Sequence, residues 1–164
     1  MAAGKSTTIS MLTGLIPPTK GQGNLRGLDL GNDMPAIRKT LLGVCAQDDR
    51  LFAEVSVDKH LAIYAMFKAI PPEKCAHEIA TIIAAVGLKE KRNVSASQLS
   101  GGMKRKLGLA IALLGGSRVV VLDEPTSGMD PFSRRSTWEL IKQAKDNCVL
   151  LLTTHCLIIK SGLC

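Results

Sequence analysis

Three short stretches hold residues whose types and spacing suit phosphate chemistry. Gly4-Lys5-Ser6-Thr7 stands where a helical pattern begins. A helix start presents unpaired N–H groups and the positive end of the macrodipole, both favourable to phosphate. A lysine there can reach β and γ phosphates, and a serine hydroxyl can ligate Mg²⁺. In the pattern G-x-x-x-x-G-K-[ST] the first glycine falls ahead of Met1, so these residues form its back half. The second stretch is the apolar run Val119-Val120-Val121-Leu122 followed by Asp123-Glu124-Pro125. A strand of this kind delivers two carboxylates at its C-terminal edge, where α/β sheets bind ligands. Asp123 can hold a Mg²⁺ shell while Glu124 polarises a water for in-line attack. The third is Leu99-Ser100-Gly101-Gly102-Met103. Two glycines opening a helix cost about 1 kcal/mol each relative to alanine, which makes sense where the backbone must approach something closely. Ser100 with the Gly101 and Gly102 N–H groups makes a second anion cradle. Two cradles on one chain can serve one nucleotide only if they belong to different chains.

The elements that must position these residues alternate between helix and strand. A helix over 5–13 ends at Gly14 and Pro17-Pro18. Residues 17–35, rich in Gly, Pro, Asn and Asp, read as turns around a short strand, and 41–46 as a strand. Ser56 caps a helix through Phe67, and Pro72 opens another. In that second helix Ile79, Ile82, Ile83 and Val86 share one apolar face, and Gly87 ends it. Residues 89–98 read as a polar loop, Ser100 caps a helix to Leu114, and Pro131 opens a helix carrying Trp138 and Ile141. Val119–Leu122 and Cys148–Leu152 are apolar on both faces, as strands of a parallel sheet covered on both sides are. The class is α/β with a parallel sheet, interrupted by a helical insert over about 50–95.

Composition narrows the function classes. The chain has 164 residues, 46% of them hydrophobic and 21% charged, enough for one domain with a real core. Aromatics are 3%, too few for a base-stacking platform. The net charge of +7 comes from dispersed cations, with one cluster at Lys104-Arg105-Lys106 expected on a solvated helix face; no nucleic-acid partner is expected. No apolar run approaches the ~18 residues of a membrane span, and the start has no secretory h-region. Five cysteines without a CxxC pair read as reduced thiols.

The ordered set of motifs resembles the ATP-binding-cassette (ABC) ATPases. Leu99-Ser100-Gly101-Gly102-Met103 is similar to the family's signature, and the order of elements agrees: Gly4–Thr7, Gln47, the signature, Asp123-Glu124, Ser127-Gly128-Met129-Asp130, then His155. Gln47 stands 53 residues before Ser100, Asp123 stands 23 after it, and His155 stands 31 after Glu124, spacings that fit compact cassettes. The runs Met11–Thr19, Gly43–Gln47, Leu99–Leu107 and Asp123–Arg135 are similar to the A subfamily of ABC transporters, the lipid-handling type. The resemblance implies a P-loop NTPase core, a parallel sheet flanked by helices, plus a helical subdomain of about 50–95 continuing into the signature helix 100–114. It implies ATP and Mg²⁺ as ligands. Gly4, Lys5 and Thr7 would grip phosphate, and Ser6, Gln47 and Asp123 would serve the metal. Glu124 would be the catalytic base, with Gln47 and His155 beside the attacking water and the γ-phosphate. Ser100, Gly101 and Gly102 would meet ATP held by a second cassette in a head-to-tail pair, and Asp130 would contact across that interface. The segment from Asp48 to Glu54 would dock the transmembrane domains, from the cytosolic side of the membrane.

The chain departs from the family in places. Strands expected ahead of the phosphate loop, with an aromatic residue for adenine, have no counterpart, and the residues after His155 do not resemble a cassette's continuation. The expectation is a cassette truncated at both ends, in which the strand 148–152 lacks a neighbour. Ala46 stands where the subfamily usually has proline. Two other readings stay open: a soluble ABC-type ATPase of translation or repair, and a non-catalytic truncated remnant.

Overall fold

The computed structural model describes residues 4–46 and 51–153, the side chains of Lys5 and Ser6 excepted. Along the chain run α1 (Lys5–Leu12), a hairpin of β1 (Asn24–Leu25) and β2 (Leu28–Asp29), α2 (Met34–Thr40), β3 (Leu42–Cys45), α3 (Val57–Phe67) and α4 (Pro72–Ala85). Two 3₁₀ turns follow at Lys89–Lys91 and Ala96–Gln98, then α5 (Gly101–Leu113), β4 (Val119–Asp123), α6 (Pro131–Ala144) and β5 (Val149–Thr153).

The sheet is parallel in the order β3-β4-β5, so among the described residues β5 is an edge strand. Its register sets Leu42 beside Val119, Leu122 beside Leu152 and Asp123 beside Thr153. Side chains alternate across a strand. Leu42, Val44, Val119, Val121 and Leu151 therefore meet Ile9 of α1 and Ile37 of α2 on one face. Cys45, Val120, Leu122, Leu150 and Leu152 meet Leu109 and Ala112 of α5 and Ile141 of α6 on the other. This three-layer arrangement is why β4 and β5 read as unbroken apolar runs.

Helix α5 belongs to two cores. Leu109 and Ala112 face the sheet, while Leu107, Ala110, Ile111 and Leu114, at i, i+3, i+4 and i+7, close a helical subdomain with α3 and α4. That subdomain buries Val57, Leu61, Ala65, Ile79 and Ile83. At Gly43 the contact with α5 is between backbones: a Cβ there would lie 1.8 Å from the Ala112 carbonyl oxygen.

Several boundaries move by a residue. The first helix stops at Leu12, with Thr13 as its C-cap, β5 begins at Val149 rather than Cys148, and Ser100 and Leu114 flank α5 as its caps. The stretch 17–35 contains a hairpin turning through Arg26 and Gly27, both at positive φ. Helix α2 has no counterpart in the sequence reading. Its seven residues include the fully buried Ile37, too few for a periodic pattern. Its Arg38 donates from Nε to the Thr13 carbonyl (3.1 Å) and from Nη2 to that of Gly14 (2.7 Å), capping the end of α1.

Candidate functional site

The phosphate-loop residues form a bare helix start. Gly4 is the N-cap of α1 at φ +104°, a conformation that disfavours any side chain, and a Cβ there would meet nothing within 4 Å. Glycine is thus required by the backbone and not by crowding. No side chain caps the helix and no acid sits in its first turn. Both features leave the N-terminal N–H groups receptive to an anion. Thr8 turns its hydroxyl back to the Gly4 carbonyl (2.8 Å), and Thr7 is exposed.

The paired acids lie at the C-terminal end of β4. Val119, Val121 and Asp123 share a strand face, and Val121 packs in the same cluster as Ile9 of α1, so Asp123 emerges on the side of the sheet where α1 lies. The half-buried Asp123 accepts, at Oδ1, a hydrogen bond from the hydroxyl of its register neighbour Thr153. The next residue, Glu124, turns out of the strand at φ +49°. Its N–H donates to the Thr153 carbonyl (3.0 Å), and its own carbonyl accepts from Ser127 N–H (3.0 Å). A left-handed glutamate is strained, and such strain gathers at functional sites. Among the described residues no three His, Cys, Asp or Glu side chains cluster into a metal cage. One oriented carboxylate on the side of the sheet that carries an anion-receptive helix start suits Mg²⁺, which takes one or two carboxylates, substrate phosphates and waters.

The signature stretch opens α5. Ser100 Oγ accepts from Met103 N–H (3.3 Å) as the N-cap. Gly101 is exposed with nothing within 4 Å of a Cβ, and a Cβ on Gly102 would find only ordinary contact, 3.8 Å from Ser133 Oγ. Neither packing nor a left-handed φ inside this chain calls for these glycines. The same contact brings the start of α6 against the start of α5. There Asp130 Oδ1 accepts from Phe132 and Ser133 N–H (3.0 Å each), which makes it the N-cap of α6. Hydrogen bonds from Ser133, hydroxyl first and then backbone, hold its carboxyl below the usual carboxylate range.

The cluster Lys104-Arg105-Lys106 does not lie wholly on a solvated face. Arg105 is 6% exposed and donates from Nη1 to the Ala46 carbonyl (2.8 Å). Gln47 and His155 lie outside the described residues. Of the docking segment, Leu51 to Glu54 is described, and Phe52 is 54% exposed, stacked on His60. His60 is fully buried. Its Nε2 accepts from Phe52 N–H (2.9 Å), which places the ring proton on Nδ1, facing the Ser56 carbonyl (3.0 Å). Sequence reasoning missed His60 and Thr153 and read Arg105 as solvated. Only Thr153 left a trace, as the polar residue that ends an apolar strand.

A family model described as ABC transporter matches residues 2–127. The chain belongs to the ABC transporter family. It is 51% identical over 153 residues to the phospholipid-transporting ATPase ABCA3 of Rattus norvegicus, covering 93% of this chain and 9% of that protein. Identity to ATP-binding cassette sub-family A member 2 of Homo sapiens is 46%, over 93% of this chain and 6% of that protein. The chain thus spans less than a tenth of the length of these relatives. Among solved structures, a dimeric ATP-binding cassette in a post-hydrolysis state bound to ADP and Pi superposes with a TM-score of 0.83 at 22% identity, over 93% of this chain and 70% of that one. The ATP-binding subunit of an ABC transporter gives 0.82 at 26% identity, over 94% and 64%. These likenesses bear out the expected cassette fold, with its parallel sheet flanked by helices, and the similarity to the A subfamily.

Proposed function

We propose that this chain is the ATP-binding and ATP-hydrolysing cassette of a membrane transporter whose cargo is a phospholipid or similar lipid, and that it lies on the cytosolic side of the membrane. The observation that carries the proposal is the pair at the end of β4. Asp123 is oriented by a buried hydroxyl, Glu124 is held in a strained turn, and both follow a strand packed in one cluster with the phosphate-loop helix. The cargo rests on the phospholipid-transporting relative.

In this reading the N–H groups opening α1, with Gly4, Lys5 and Thr7, bind the phosphates of ATP. Ser6, Asp123 and Gln47 hold Mg²⁺ with its waters, and the ion when bound neutralises charge on the β and γ phosphates. Glu124 takes the proton of the attacking water, with Gln47 assigned to that water and His155 to the γ-phosphate. Ser100, Gly101 and Gly102 close on ATP held by a second cassette; the unobstructed Gly101 supports this, because an approaching phosphate needs bare backbone there. Asp130 shapes the same interface by capping α6 beside Gly102. The transmembrane domains dock at the segment from Asp48 to Glu54, in which Phe52 is exposed.

The test uses the full-length protein carrying this chain. Glu124→Gln is expected to abolish ATP hydrolysis while a fluorescent ATP analogue still binds, and Lys5→Ala is expected to weaken that binding. Hydrolysis by Glu124→Gln at the wild-type rate overturns the role of Glu124. Reconstituted vesicles that hydrolyse ATP without moving labelled phospholipid overturn the cargo.

A further inference from the structure

We infer that Thr153 is a positioning residue for the metal-binding carboxylate, an inference that rests on the role proposed for Asp123. Thr153 ends β5 and is 6% exposed. A buried hydroxyl must find a partner, and a strand end flanked by Leu150, Leu151 and Leu152 offers little for it. The parallel register sets Thr153 directly beside Asp123, and the hydroxyl donates to Asp123 Oδ1. Valine would fill the same strand position with equal β preference and no polar atom to satisfy. The hydroxyl is thus the part of the side chain that packing does not require. With Oδ1 engaged, the Asp123 carboxylate is held in one orientation, and its second oxygen is presented in a fixed direction at the sheet edge. Partners that orient a ligating carboxylate typically change metal affinity 10–100-fold when removed.

Thr153 also touches the second acid, by a route that any residue could supply. Its backbone carbonyl accepts from Glu124 N–H (3.0 Å), so a side-chain substitution leaves that bond in place. The hydroxyl can therefore be tested apart from the turn that carries Glu124.

The experiment measures Mn²⁺ binding by electron paramagnetic resonance in the full-length protein, with a non-hydrolysable ATP analogue present, and analogue binding alone in EDTA. Thr153→Val is expected to weaken Mn²⁺ about tenfold or more and to leave analogue binding in EDTA unchanged. Thr153→Ser, which keeps the hydroxyl, is expected to restore Mn²⁺ binding to within about twofold of wild type. If the valine variant does not fold, Thr153→Ser against Thr153→Ala repeats the comparison, since that pair differs by one hydroxyl. Wild-type Mn²⁺ affinity in the hydroxyl-free variant, with binding lost in Asp123→Asn, overturns the inference and leaves the role of Asp123 standing. Wild-type affinity in Asp123→Asn overturns both.

Discussion

Arg105 and Ala46, 59 residues apart in sequence, are joined by a 2.8 Å hydrogen bond from Nη1 to the carbonyl oxygen. The bond fastens the signature helix to the end of β3, one residue before Gln47. On the far side of residues 47–50, the chain is bonded to the lead-in of the same helix: Ala96 N–H to the Val55 carbonyl (3.0 Å), Ser97 N–H to that of Ala53 (2.8 Å), and Val57 N–H to that of Val94 (3.1 Å). One flank of the Gln47 stretch is therefore attached to the signature helix itself and the other to residues 94–97, which lead into it. Arg105→Met leaves the Ala46 carbonyl without this charged donor. The expected loss of stability is about 1.5–3 kcal/mol by denaturant unfolding. A variant as stable as wild type shows that the bond contributes nothing net.

Gly43 sets how closely α5 approaches the sheet. An alanine methyl would overlap the Ala112 carbonyl oxygen at 1.8 Å, and backbone on both sides leaves nothing flexible to yield. Gly43→Ala should cost about 3 kcal/mol or more, since overpacking against backbone exceeds the usual side-chain penalty. Thermal unfolding of the purified variant reads it, and an unchanged midpoint means that α5 can shift away from β3 freely.

The left-handed Glu124 predicts an order among variants that all lack the base. Asparagine tolerates this conformation better than glutamine, so Glu124→Asn should be more stable than Glu124→Gln by about 1 kcal/mol. Both should lack ATP hydrolysis. Equal melting temperatures for the two amides refute the strain at φ +49°.

Lys68 gives a pH signature. Half-buried at the end of α3, it donates to the Leu42 carbonyl and to Ser117 Oγ (2.9 Å), and burial lowers its pKa from 10.5 to about 8. A neutral amine still has hydrogens for both bonds. Between about pH 8 and 10.5 the unfolded chain binds more protons at this residue than the folded one, so stability from Lys68 rises with pH across that window. Below about pH 8 both states are charged at this residue, and the burial penalty is present in full. Denaturant unfolding of wild type minus Lys68→Met, from pH 7 to 10.5, should show this rise. A flat difference overturns it.

Much of the fold is already decided in the sequence, because its signals act within a turn or two of chain. The Ser56 and Ser100 caps, Pro72 and Pro131 at helix starts, the stripe through Ile79 and Ile83, and the runs leading into Asp123 and Thr153 each specify an element locally. Gly4 and the paired Asp123-Glu124 mark the chemistry for the same reason: a phosphate cradle needs particular residues at fixed short spacing. Tertiary structure alone decided the rest. Helix α2 forms around two buried residues, Met34 and Ile37, and is held through Arg38 to the end of α1, too little for a period to be read. Among the three cations of the signature helix, Arg105 is buried because the end of β3 happens to lie over it. Thr153 meets Asp123 because parallel pairing of β4 with β5 sets them side by side. Strand register and the choice of which polar group is buried depend on segments tens of residues apart coming together, and no local pattern encodes that meeting.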